Sequence, residues 1–127
     1  MTDFNRIIDA NLSRMGEGLR VLEDALRFEL NSASLVHECK QIRDQLKATY
    51  SLFNYADLIN SRSTAVDVRA SSHVPKRAHL HDLVMANLKR STEAARSLEE
   101  ATHQQAFTKM RYDLYQLEQG IWRAFSR

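Results

Sequence analysis

Three features of the chain predict an all-α fold. Its 127 residues include only three Gly and one Pro, too little turn chemistry for a many-stranded fold. Four segments carry apolar residues at helical spacing. One segment is nearly repeated: residues 10–25, ANLSRMGEGLRVLEDA, return at 86–101 as ANLKRSTEAARSLEEA, identical at nine of sixteen positions. Together these predict an antiparallel helical bundle of two duplicated helical hairpins with a long central loop.

The elements follow in order. Ile8, Leu12, Met15, Leu19, Leu22 and Leu26 alternate steps of four and three, one narrow stripe of a helix expected over 3–30. Asn31, Ser32 and Ser34 then offer capping oxygens for a second helix, whose stripe runs Leu35, Cys39, Ile42, Leu46, Tyr50 and Phe53. Residues 54–79 lose the period, hold the only proline, Pro75, and read as a loop. A third helix begins near Leu80 with Leu83, Leu88, Ala95 and Leu98. The fourth carries Phe107, Met110, Leu114, Leu117, Ile121 and Phe125. The expected organisation is one domain over 1–127, with repeat halves at 3–53 and 80–125 and a linker at 54–79.

The register of the repeat shifts between its two helices. The first helices match at an offset of 76, whereas Arg43 and Leu46 match Arg111 and Leu114 at 68, so the second hairpin should have the shorter connection. Gly16 and Gly18 become Thr92 and Ala94 in the second copy. A helix therefore continues through both glycines, which read as close packing points at about 1 kcal/mol each in helix propensity.

Composition narrows the function. The net charge is +2, with 18 basic and 16 acidic residues interspersed, a poor footprint for nucleic acid. The single cysteine allows no internal disulfide or Cys-based metal cage. No apolar run reaches the roughly 20 residues of a membrane span, and the N-terminus lacks a signal core, so a cytoplasmic protein is expected. His79 and His81 would diverge by about 200° on a helix, and His37, His73 and His103 are scattered, so no zinc site is expected. Tyr112, Tyr115, Trp122 and Phe125 read as core and dimer surface.

The polar residues of the repeat carry the open question. Asn11 and Arg14, with their copies Asn87 and Arg90, edge the apolar stripe, where an amide and a guanidinium need a partner helix or a bound anion. Glu17 and Arg20 fit an exposed ladder with Arg14 and Asp24 at i,i+3 and i,i+4. The linker gathers Arg62, Arg69, Lys76 and Arg77 with Ser61, Ser63, Thr64 and Asp67. Cations and hydroxyls beside one acid suit a phosphorylated small molecule; the plainer reading is a solvated connection.

These motifs carry a family resemblance. RIIDANLSRMGEGLRVLEDALRF at 6–28, SRSTAVDV at 61–68 and the second repeat copy, in that order, resemble the ThiD2 family over nearly the whole chain. That small all-helical domain is known mostly fused to thiamine phosphate synthase. The resemblance implies a role in thiamine biosynthesis, as an alternative kinase that converts hydroxymethylpyrimidine phosphate to the diphosphate with ATP and Mg²⁺. It would place Arg14, Arg62 and Arg90 on phosphate oxygens, helped by Asn11, Thr64 and Asn87. Asp67, Glu17 or Glu93 would bind Mg²⁺ or orient a hydroxyl. The family's middle motif tends to read R-D-T-x-x-D-V-G; here Arg62, Thr64, Asp67 and Val68 match, Ser63 replaces the acid and Arg69 the glycine. With no synthase region in these 127 residues, coupling to thiamine phosphate synthase is expected to act between separate proteins. The alternative is a non-catalytic helical assembly or sensor module, a homodimer seamed along the heptad-like stripe.

Overall fold

The first helix, α1, runs Asn5–Phe28 and buries the whole expected stripe from Ile8 to Leu26. The computed structural model describes residues 4–70 and 73–126, so the expected start at Asp3 lies outside them. Asn31, in the left-handed region at φ 53°, reverses the chain, and the Ser32 hydroxyl caps the next helix by accepting from the Leu35 N–H at 3.3 Å. Helix α2 spans Ala33–Thr49. It stops short of the expected Phe53: Tyr50–Leu52 form a 3₁₀ turn, and Phe53 swings out to stack on Phe107 with ring centroids 6.4 Å apart.

The central segment departs from a plain loop. A short helix, α3, covers Tyr55–Asn60, capped by the Asn54 side chain accepting from Asp57 N–H and pinned by buried Leu58. Six residues are too few to display a period, so its only sequence signal was the Asn54 cap. A 3₁₀ turn at Thr64–Val66 follows. Helix α4 spans Leu80–Thr102 and α5 spans Gln105–Phe125, joined through left-handed His103. Packing closes a ring, with α1 against α2 and α4, and α5 against α2 and α4. Among the described residues there is no strand, and no helix is long and apolar enough to cross a membrane.

The second connection is the shorter one: residues 29–32 join α1 to α2, whereas only 103–104 join α4 to α5. Each hairpin carries an ion pair at matching positions, and Lys89 with Glu118 at 3.0 Å adds another to the second. Arg43 donates to Glu23 in the first, and Arg111 donates to Glu99 in the second. Arg111 adds a second bond of 3.1 Å to Glu99, and the Thr108 hydroxyl donates at 2.7 Å. These donors hold the Glu99 carboxyl below its ordinary value of 4.5. A carboxylate depressed by folding stabilises fully above its unfolded pKa and loses that contribution as pH falls through the lower folded value. The stability gap between wild type and Glu99→Gln should therefore hold steady from pH 7 to about 5.5 and shrink below about pH 4.5. Urea melts across that range check it, and a gap that widens on acidification would contradict the pair's role.

Cys39 lies fully buried between α1 and α2, its thiol donating to the Leu19 carbonyl at 3.5 Å. Burial, helped by the Glu23 carboxylate, pushes this thiol up to about 12. Folded protein at pH 8 should leave Ellman's reagent unreacted, and one equivalent should react once guanidinium unfolds the chain. On α5 the outer aromatics stand outside the core: Tyr112, Tyr115 and Trp122 are exposed, while Phe125 is half-buried with its ring 5.0 Å from His81. The core half of their expected role thus falls to Phe107, Met110, Leu114, Leu117 and Ile121.

Candidate functional site

The repeated polar residues meet because α1 and α4 are the two most intimately packed helices. They approach closely at Gly18, where an added Cβ would sit 2.5 Å from Ser91 Oγ and 3.1 Å from the Asn87 carbonyl oxygen. Gly18 is thus the close packing point the sequence predicts. Gly16 is not one, since a Cβ there would meet only Leu46 at an ordinary 3.7 Å.

Beside this crossing opens a groove of about 1310 Å³. From α1 come Asn11, Arg14, Glu17 and Arg20; from α4 come Asn87, Arg90 and Glu93; the linker supplies Asp67, Arg69, His73 and Arg77. Five arginines face three carboxylates in it, a balance suited to an anionic ligand. A second, smaller cavity of about 670 Å³ adjoins it, lined by Arg6, Asp9, Ser61, Arg62, Ser63 and Thr64. Asn11, Arg14 and Asp67 line both. Each of the nine residues singled out from sequence therefore lies on one cavity or the other.

Their roles within that arrangement differ. Both asparagines are buried and turn inward along their own helices: Asn11 Nδ2 donates to the Ile7 carbonyl at 2.8 Å, and Asn87 Nδ2 to the Leu83 carbonyl at 2.9 Å. Asn11 Oδ1 also accepts from Arg14 at 3.4 Å. The amides thus brace the helices, and the arginines stand exposed along the groove. Arg90 bridges to Glu17 at 3.6 Å, so Glu17 ties α1 to α4. Arg20 does take the ladder geometry, 3.9 Å from Glu23 and 3.8 Å from Asp24.

The linker is folded onto α1 by an ion pair absent from the sequence reading. Arg62 donates from Nε to Asp9 Oδ2 at 2.7 Å and from Nη2 to Oδ1 at 2.9 Å. Asp67 Oδ1 accepts from the Arg69 N–H at 2.9 Å, a tight local turn. Arg69 is not among the left-handed residues, which are Phe4, Asn31 and His103, so an arginine fits the backbone there without strain. Asp9 was overlooked because its partner lies 53 residues away and its copy position holds Met85.

A match to the ThiD2 family model covers residues 6–120, and the chain belongs to that family. It is 38% identical over 125 residues to a thiamine-phosphate synthase of Nostoc sp., an alignment covering 91% of this chain and 34% of that protein. Against the synthase of Synechocystis sp. it is 37% identical over 129 residues, covering 94% and 36%. Against that of Rhodopirellula baltica it is 41% identical over 98 residues, covering 75% and 26%. The chain thus spans about a third of the length of the curated relatives it matches. No solved structure matches it.

Proposed function

We propose that the chain transfers the γ-phosphoryl group of ATP to hydroxymethylpyrimidine phosphate, giving the diphosphate. The observation that supports this reading is the pair of adjoining cavities sharing Arg14 and Asp67 as a common wall. A phosphoryl donor in the larger groove and a small acceptor in the side pocket would meet at that wall, where positioning and charge neutralisation supply the catalysis. Arg14 and Arg90 take phosphate oxygens of the donor, and Arg62 and Thr64 those of the acceptor.

The acceptor atom is an oxygen of a phosphate monoester, already ionised near neutrality, so no general base is required. The new P–O bond forms as the β–γ bridge of ATP breaks and ADP leaves. Among the described residues no three His, Cys, Asp or Glu side chains cluster into a metal cage. The carboxylates that are present, Asp67, Glu17 and Glu93, suit Mg²⁺, which binds through one or two carboxylates plus substrate phosphates. Asp67 on the shared wall would hold it, with Glu17 and Glu93 along the groove, and the ion would supply charge neutralisation there. The partner in this reading is a thiamine-phosphate synthase, the name its curated relatives carry.

Phosphorus NMR of the purified chain with ATP, Mg²⁺ and hydroxymethylpyrimidine phosphate tests the proposal through the appearance of diphosphate signals. Absence of turnover, together with no rise in melting temperature on adding the pyrimidine phosphate, would sink it.

A further inference from the structure

Asp9 is 8% exposed, yet it carries a carboxylate one turn from the end of α1. Arg62 fills its whole hydrogen-bonding edge, with Nε and Nη2 each meeting one carboxylate oxygen at 2.7 and 2.9 Å. Tyr55 also stands close to this guanidinium. A bidentate fork fixes both the position and the plane of an arginine, which a single contact does not. Nη1 and the second hydrogen of Nη2 are not used by that fork. Arg62 and Asp9 both line the smaller cavity, and the segment that Arg62 anchors continues through Thr64 to Asp67 on the shared wall.

We propose that Asp9 is a positioning residue: through Arg62 it latches the 61–67 segment across α1 and aims the remaining Arg62 donors at a phosphate in the side pocket. The phosphate half rests on the function proposed above; the latch half does not.

Electrostatics alone and positioning predict opposite signs for Asp9→Asn. Deleting a negative charge beside an anion site should tighten phosphate binding if Asp9 is merely a neighbour. If Asp9 positions Arg62, calorimetry with hydroxymethylpyrimidine phosphate should instead show affinity falling about tenfold, the size of one charge-assisted hydrogen bond. Arg62→Lys, which keeps the charge and loses the fork, should behave like Asp9→Asn. Hydrogen exchange without ligand reads the latch separately: the amides of Arg62 and Val66, bonded to Ile59 and Ser63 carbonyls, should exchange at least about fivefold faster in Asp9→Asn, with α4 unchanged. Tighter binding by Asp9→Asn, unchanged exchange at 62–66, or wild-type behaviour of Arg62→Lys would each overturn the proposal. If the wild type binds no pyrimidine phosphate, the phosphate reading falls, and the exchange result still decides the latch.

Discussion

Asp67→Asn should abolish most phosphoryl transfer while leaving the fold and its melting temperature unchanged. The substitution keeps the side-chain oxygen that accepts from the Arg69 N–H at 2.9 Å, so the local turn survives. Asp67 is exposed, so its replacement leaves the core packing alone. What disappears is one negative charge on the wall shared by the two cavities. Loss of a single group that stabilises charge in the transition state costs on the order of 10²–10³ in kcat. Because the proposed role is to hold Mg²⁺, the variant should also need more Mg²⁺ for half-maximal rate, a shift that Thr64→Ala should not share. Full activity in Asp67→Asn would remove this residue from the mechanism. An equal loss in Asp57→Asn, at the other exposed carboxylate of the 54–79 linker, would point to a general field effect in place of a ligand.

The contrast between this site and the bundle that carries it shows where sequence reasoning reaches. The stripe of α1 was fully legible because burial follows a period that six leucines, isoleucines and methionines display in one continuous segment. The matching of Arg43 with Arg111 was likewise legible as register, and each now stands on the equivalent glutamate, Glu23 or Glu99. The Asp9–Arg62 pair was not, since nothing local to either residue announces a partner 53 positions away. Asn11 and Asn87 mark the middle ground. Their place at the edge of the stripe was correct, but the wheel could not say that each amide would turn back to a carbonyl four residues earlier. Gly16 and Gly18 looked alike in sequence; only the crossing of α1 over α4 separates the glycine that must be small from the one that need not be.

That separation yields the largest stability effect expected. Gly18→Val should unfold the protein at a markedly lower temperature, whereas Gly16→Ala should raise it. At Gly18 even a methyl group would stand 2.5 Å from Ser91 Oγ and 3.1 Å from the Asn87 carbonyl. The Ser91 hydroxyl can rotate away only by giving up its 2.9 Å bond to that carbonyl, and the carbonyl cannot move without moving α4. Overpacking of this kind costs about 1–3 kcal/mol, against about 1 kcal/mol regained in helix propensity. With contacts of 2.5 and 3.1 Å the cost falls at the upper end, about 2–3 kcal/mol, so Gly18→Ala should lose about 1–2 kcal/mol net, and β-branched valine more. At Gly16 the new methyl meets Leu46 at 3.7 Å, so the propensity gain of about 0.5–1 kcal/mol is kept. The double variant Gly18→Ala/Ser91→Ala should recover part of the loss, because removing Oγ clears the shorter of the two contacts, and such coupling is diagnostic of direct contact. Chemical melts of wild type, Gly18→Ala, Ser91→Ala and the double variant decide it, and a Gly18→Ala variant as stable as wild type would mean that α1 and α4 do not cross this closely. The same series carries a functional readout. The crossing sets the separation of Arg14 from Arg90 across the groove, so widening it at Gly18 should weaken binding of an ATP analogue even where the protein remains folded.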